Sequence, residues 1–181
     1  FYNIVDSYFV SQIPGGIGES AINALALAFP VQTLMIAIGV GTGVGVNSLL
    51  SRQLGQGDKM SASKTAGNAI FIGICTYVVF VIFGFLGAYI GTQTSDPVII
   101  QMGIEYLAIC SVLSFGSILS MVYEKILQAT GRTVMSMIAQ LAGALTNIVL
   151  DPIMIFGYLG CPELGVAGAA YATVIGQVVT L

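Results

Sequence analysis

Charge is the scarcest thing in this sequence: 7% of its 181 residues are Asp, Glu, Lys or Arg, against 56% apolar, where an ordinary soluble domain carries about 25% charge. With a mean hydropathy of +0.96, that scarcity excludes a soluble globule. Histidine is absent, and the three cysteines, Cys75, Cys110 and Cys161, form no CxxC pair. A zinc or other transition-metal centre therefore lacks a ligand set. No disulfide framework follows, and Cys75 and Cys110 fall mid-span as small apolar packers. There is no basic tract for nucleic acid, and a net charge of -3 is too small to point to a partner. No nucleophile-and-base arrangement supports an enzyme.

What the sequence does have is apolar runs of the roughly 20 residues that a membrane-spanning helix needs. They are continuous rather than alternating, which excludes a transmembrane β-barrel. The pattern predicts an all-α integral membrane bundle: the tail of one helix over 1–12, spans near 24–50, 66–90, 98–122 and 134–158, and the start of a sixth from about 166. Pro14-Gly15-Gly16 and Gly55-Gln56-Gly57-Asp58 punctuate the runs. Asp96-Pro97 pairs an N-cap with a proline at the first helical position, and Gly131 is a natural C-terminal stop. The chain opens without Met and inside an apolar run and stops inside another, so a piece of a longer protein is expected. In the second span Gly39, Gly41, Gly43 and Gly45 make two interleaved GxxxG spacings, suited to close helix packing or to a pliable helix, and Pro30 is expected to kink it.

All five basic residues flank two connections: Arg52, Lys59 and Lys64 the second-to-third, Lys125 and Arg132 the fourth-to-fifth. The positive-inside rule places both in the cytoplasm, with Glu19, Asp96 and Glu163 toward the outside. Within that frame Asn147-Ile148-Val149-Leu150-Asp151-Pro152 is conspicuous, because it sets an amide and a carboxylate four apart on one helix face. A charged residue at membrane depth costs about 2.5 to 3.5 kcal/mol and is by default a functional hypothesis. At 1.5 Å per residue, Asp6, Asp151 and Thr173 each lie roughly 10 Å below the external helix ends, with Asn147 a turn deeper. If Asp6 and Asp151 converge, no lysine or arginine at their depth neutralises them, so a cation sits between them or at least one carries a proton. Carboxylate, amide and hydroxyl oxygens favour Na⁺ or H⁺ over a soft metal.

Other polar residues signal less. Glu105 reads as about 10 Å deep, or interfacial if the fourth span starts a turn later, as the adjacent Gln101 favours. Glu124 and Lys125 read as solvated charges at a helix end, and Tyr2 and Gln32 as candidates to line a substrate cavity.

Five stretches resemble the multidrug and toxic compound extrusion (MATE) transporters, most closely the DinF-like or archaeal-type branch. They are Asn3-Ile-Val-Asp6-Ser-Tyr-Phe, Ser51-Arg-Gln-Leu-Gly55-Gln-Gly57-Asp58, Leu127-Gln-Ala-Thr-Gly131, Asn147-Ile-Val-Leu-Asp151-Pro152 and Gly165-Val-Ala-Gly168-Ala-Ala-Tyr-Ala-Thr173. They span nearly the whole chain in the family's order. The resemblance implies a twelve-helix, two-lobed transporter of the inner (plasma) membrane. Residues 1–181 would be most of its N-terminal lobe, about six helices, with the C-terminal lobe lying outside this chain. It implies efflux of amphipathic, often cationic compounds by Na⁺ or H⁺ antiport, with no further cofactor. Asp6, Asn147, Asp151 and Thr173 match the family's N-lobe cation site, and Tyr2 a cavity-lining aromatic. Alternatives are a lipid-linked oligosaccharide flippase of the same superfamily, disfavoured by the lack of mid-membrane cations, and an ion channel lined by the two aspartates.

Overall fold

The computed structural model describes residues 2–14, 16–86 and 88–181; the side chains of Tyr2, Asn3, 83–86 and Ala88 are outside the description. Eight α-helices follow in order: α1 Tyr2–Val10, α2 Ile17–Gly55, α3 Lys59–Leu86, α4 Ala88–Gln93, α5 Pro97–Val112, α6 Phe115–Ala129, α7 Thr133–Phe156 and α8 Gly165–Thr180. A single 3₁₀ turn, Tyr158–Gly160, joins the last two, and no strand occurs among the described residues. Three helices are long and apolar enough to cross a membrane: α2, α3 over Lys59–Ile82, and α7. A fourth crossing arises if α5 and α6, bent by 46°, count as one. The outward faces of α3 and α7 are apolar, as Phe71, Val78, Ile82, Met137, Ile138 and Leu141 illustrate, which suits lipid rather than water.

Several expected boundaries move. α2 has 39 residues, about 58 Å of helix, so it outruns the apolar core of a bilayer at its ends. Glu19 and Arg52, expected at or beyond the ends of the span, lie in its first and last turns, where each charge complements the helix dipole favourably. α2 continues through Pro30 with no break in the helix. The fourth span, expected as one helix over 98–122, is instead two, because the Ser114 hydroxyl donates to the Ser111 carbonyl at 2.7 Å and competes with the backbone ladder. Gly116 follows directly, and Gly/Ser pairs are a common cause of kinks. The third span starts at Lys59 rather than near 66 and is followed by the separate short α4.

Both turns at the basic end close in the same way. Gly57 and Gly131 adopt φ of 76° and 79°. After each, paired backbone bonds run to the preceding helix: Asp58 N–H to Gln53 O and Gly57 N–H to Leu54 O, then Arg132 N–H to Leu127 O and Gly131 N–H to Gln128 O. This is the Schellman arrangement, which needs the left-handed residue that glycine supplies. At the other end Asp96 caps α5, accepting from Val98 N–H at 2.9 Å with Pro97 behind it.

Helix packing rests on small residues. A Cβ at Gly39 would meet Met121 Sδ, and one at Gly43 would meet Lys125 Cγ, both at 2.7 Å, whereas Gly41 and Gly45 face open space. Only one of the two GxxxG spacings is therefore a contact, the one against α6. The closest approach is α8 on α7, where a Cβ at Gly168 would collide with the Met154 carbonyl. The buried core joins Leu25, Ala28, Tyr106, Ile155, Ala169 and Ala170. Cys110 is buried in it, but Cys75 is exposed, so only one of the two mid-span cysteines packs inside.

A buried carboxylate cluster

Three helices bring their polar residues to one point. Asp6 on α1, Asn147 and Asp151 on α7, and Thr173 on α8 are all buried, at 0%, 0%, 0% and 3% exposure. Asn147 and Asp151 share a face because they lie one turn apart. α8 reaches them because Gly168, a turn earlier, lets it lie against the α7 backbone. α7 runs unbroken past Pro152, and the Met154 carbonyl takes Leu164 N–H at 3.1 Å as the chain returns.

Asp6 is an acceptor on every side. Thr173 Oγ1 donates to its Oδ2 at 2.9 Å, Tyr106 Oη donates to the same oxygen at 3.1 Å, and Asn147 Nδ2 approaches Oδ1 at 3.5 Å. Asn147 Nδ2 also lies 3.1 Å from Asp151 Oδ1 and 3.4 Å from Thr173 Oγ1. An amide nitrogen has two protons, so three acceptors compete for them. Asn147 thus bridges the two carboxylates. Two buried oxygens have no protein partner: Asn147 Oδ1 and Asp151 Oδ2. Buried polar atoms are normally satisfied, so these acceptors mark where a proton or a small hard cation would sit. The set of carboxylate, amide and hydroxyl oxygens fits an alkali cation.

Nothing basic in the chain offsets this charge. The five Lys and Arg side chains belong to the far ends of the helices; Arg132 is about 28 Å along α7 from Asp151. Among the described residues no group of three or more His, Cys, Asp or Glu side chains is placed to hold a metal, so the cluster depends on its two carboxylates and its neutral oxygens.

The structure brings together all four residues singled out for this cluster. It adds Tyr106, fully buried on α5, which the sequence reading passed over although its depth, about 14 Å from the start of α5, was a usable signal. Gln32 is 7% exposed, and its Nε2 donates to Tyr106 Oη at 3.2 Å. What it borders is a void of about 10 Å³, room for about one water, rather than an open cavity wall. The side chain of Tyr2 lies outside the described residues. Glu105 is mid-helix on α5, about 12 Å from the helix start, but exposed, and it borders a groove with Ile13, Met102 and Glu163 rather than joining the cluster.

Residues 1–153 match the MatE family. Among curated proteins the chain is similar to the multidrug export protein MepA of Staphylococcus aureus, 31% identical over 182 residues, 98% of this chain and 38% of that protein. It is also similar to an FAD transporter of Shewanella oneidensis, 30% identical over 189 residues, 99% of this chain and 39% of that protein. Among solved structures it superposes on an inward-facing multidrug resistance MATE family transporter of the MOP superfamily, with a TM-score of 0.89, 31% identity, and coverage of 99% of this chain and 39% of that one. The chain thus spans about two fifths of the length of these relatives.

Proposed function

The chain belongs to the MatE family, and on that premise we propose that the complete protein is a cation-coupled exporter of amphipathic organic compounds. Asp6, Asn147, Asp151 and Thr173 form its coupling site, and Na⁺ or H⁺ is the coupling ion. The observation that carries this reading is the pair of buried carboxylates with no basic partner and with Asp151 Oδ2 and Asn147 Oδ1 unpaired. Such a site is costly when two carboxylates share it ionised and alone. It becomes favourable when a cation or proton enters, and entry along the membrane potential gains up to about 2.3 kcal/mol per 100 mV.

In the proposed orientation the Arg52, Lys59, Lys64, Lys125 and Arg132 end faces the cytoplasm and the protein lies in the plasma membrane. The carboxylate cluster is then nearer the outer face. Cation binding there competes with, or reshapes the lobe cavity for, the organic substrate; Tyr2 is the first cavity position to probe. Rocking of this lobe against the C-terminal lobe of the same polypeptide exposes the cavity alternately to the two sides.

The test is ethidium efflux from vesicles containing the full-length protein, with proton and sodium gradients imposed separately. One gradient should drive efflux, and Asp6→Asn and Asp151→Asn should each abolish that response. Gradient-driven efflux that survives in both variants at equal expression overturns the proposal.

A further inference from the structure

Away from the carboxylates, α2, α3 and α4 enclose a pocket of about 330 Å³. Its walls include Pro30, Leu34 and Ile38 of α2, Val79 and Phe80 of α3, and Tyr89 of α4. α4 has only six residues, and Ile90 fixes it in place. That side chain is fully buried, and a Cβ at Gly103 of α5 would lie 3.0 Å from its Cγ2. With Ile90 held there, its neighbour Tyr89 bounds the pocket on the side away from the basic end. The polar, mostly exposed stretch from Thr92 to Asp96 follows directly, so Tyr89 sits near the membrane–water boundary, a level that favours tyrosine. From there the α2 wall descends from Pro30 to Ile38, about 12 Å of helix, into the apolar span.

The chemistry of the walls narrows what fits. Pockets for small molecules, about 300–1,000 Å³, are also mostly apolar, but they carry a few placed polar groups that orient the ligand. Here the Tyr89 hydroxyl is the only polar side-chain group among the named walls. An amphipathic cation would leave its charge without a partner, which is costly; a hydrocarbon chain needs none. The pocket also opens sideways. Leu34 and Val79 are each 53% exposed, and Val78 and Ile82 beside them belong to the lipid-suited face of α3.

We propose that this pocket holds the hydrocarbon chain of a membrane lipid from the leaflet away from the basic end, with the headgroup at the level of Tyr89. The chain follows the α2 wall from Pro30 toward Ile38 and packs on Phe80. Phe80 and Val31 line both this pocket and the water-sized void beside Gln32, so the seated chain braces the apolar wall behind the Gln32–Tyr106 contact. The inference stands apart from the coupling site and does not depend on it.

The test is native mass spectrometry of the full-length protein, purified with palmitoyl-oleoyl-phosphatidylethanolamine and released from detergent micelles. Wild type should keep one lipid under activation that strips the rest. Val79→Trp, which fills the pocket, should lower the retained fraction by at least about tenfold. Leu34→Gln, which sets an amide without a partner in the hydrocarbon wall, should do the same with little change of volume. Val78→Trp, on the adjoining face outside the pocket, should keep the lipid. Retention unchanged in either pocket variant, or lost equally in Val78→Trp, overturns the inference. So does a wild type that keeps no lipid, as it would if another part of the polypeptide filled the pocket. Displacement of the retained lipid by ethidium, one for one, also overturns it and makes the pocket a substrate site.

Discussion

The lobe holds two polar clusters that handle charge in opposite ways. At the basic end Lys125 Nζ sits 3.0 Å from Glu124 Oε1 and 3.1 Å from Gln128 Oε1. Gln128 Nε2 closes the ring onto Glu124 at 2.7 Å, and Asn47 of α2 donates to the Lys125 carbonyl at 3.2 Å. Those ionic side chains are 17% and 22% exposed, and opposite signs meet within the chain. The carboxylate cluster is buried deeper, has one sign only, and leaves two acceptors unpaired. A cluster balanced by its own residues holds helices together. A cluster that the chain leaves unbalanced is the one on which the proposed cation coupling rests.

The comparison can be broken most directly at the carboxylates. Asp151→Asn or Asp6→Asn should cut gradient-driven efflux by at least about tenfold, the factor that 1.4 kcal/mol of differential binding represents, with the folded protein still recovered from membranes. Next comes the scaffold beneath them. Gly168→Val should lower the stability of the purified protein by about 1–3 kcal/mol or more, read as a fall in Tm, because its side chain meets the α7 backbone at Met154 and backbone cannot rotate away. Lys125→Met should change stability by less than about 1 kcal/mol, as partly exposed ion pairs do, and leave efflux near wild type. Should it abolish efflux as fully as Asp151→Asn, the distinction between the two clusters collapses. The smallest effect belongs to Asp58, in the α2–α3 turn. Its carboxyl is held below the usual 3.8 by the Ser61 side-chain hydroxyl and backbone N–H. A lowered folded-state value means that its contribution is present above the unfolded value and is lost as pH falls through the folded one. Asp58→Asn should therefore lower Tm slightly at neutral pH, converge on wild type in acid, and so flatten the acid limb of the Tm-against-pH curve.

How far the sequence could carry each cluster depended on what its residues advertise. Asp6, Asn147, Asp151 and Thr173 were visible because a polar residue in an apolar run is costly, and the charge bias with a fixed rise per residue put them at one level. Tyr106 was not, since a tyrosine in a span reads first as a packing aromatic. Gln32 was visible as a polar residue but not as a partner of Tyr106, because α2 and α5 meet only in three dimensions. The break between α5 and α6 was hidden for another reason: serines pass as neutral in a hydropathy window, and only the Ser114-to-Ser111 bond reveals their competition with the backbone. Glu19 and Arg52 were placed beyond the ends of the span because apolar length marks the bilayer, whereas helix length is set by caps.

That break sits between the two clusters, with Tyr106 above it on α5 and Lys125 below it on α6. A straight rod over 97–129, about 50 Å long, would act as a lever, carrying any tilt at the carboxylates down to the basic end. An elbow of 46° transmits little torque. The lower arm is held where Gly43 and Asn47 meet Lys125, so the rocking proposed above would bend at Leu113 and Ser114 before it strained the ion pair below.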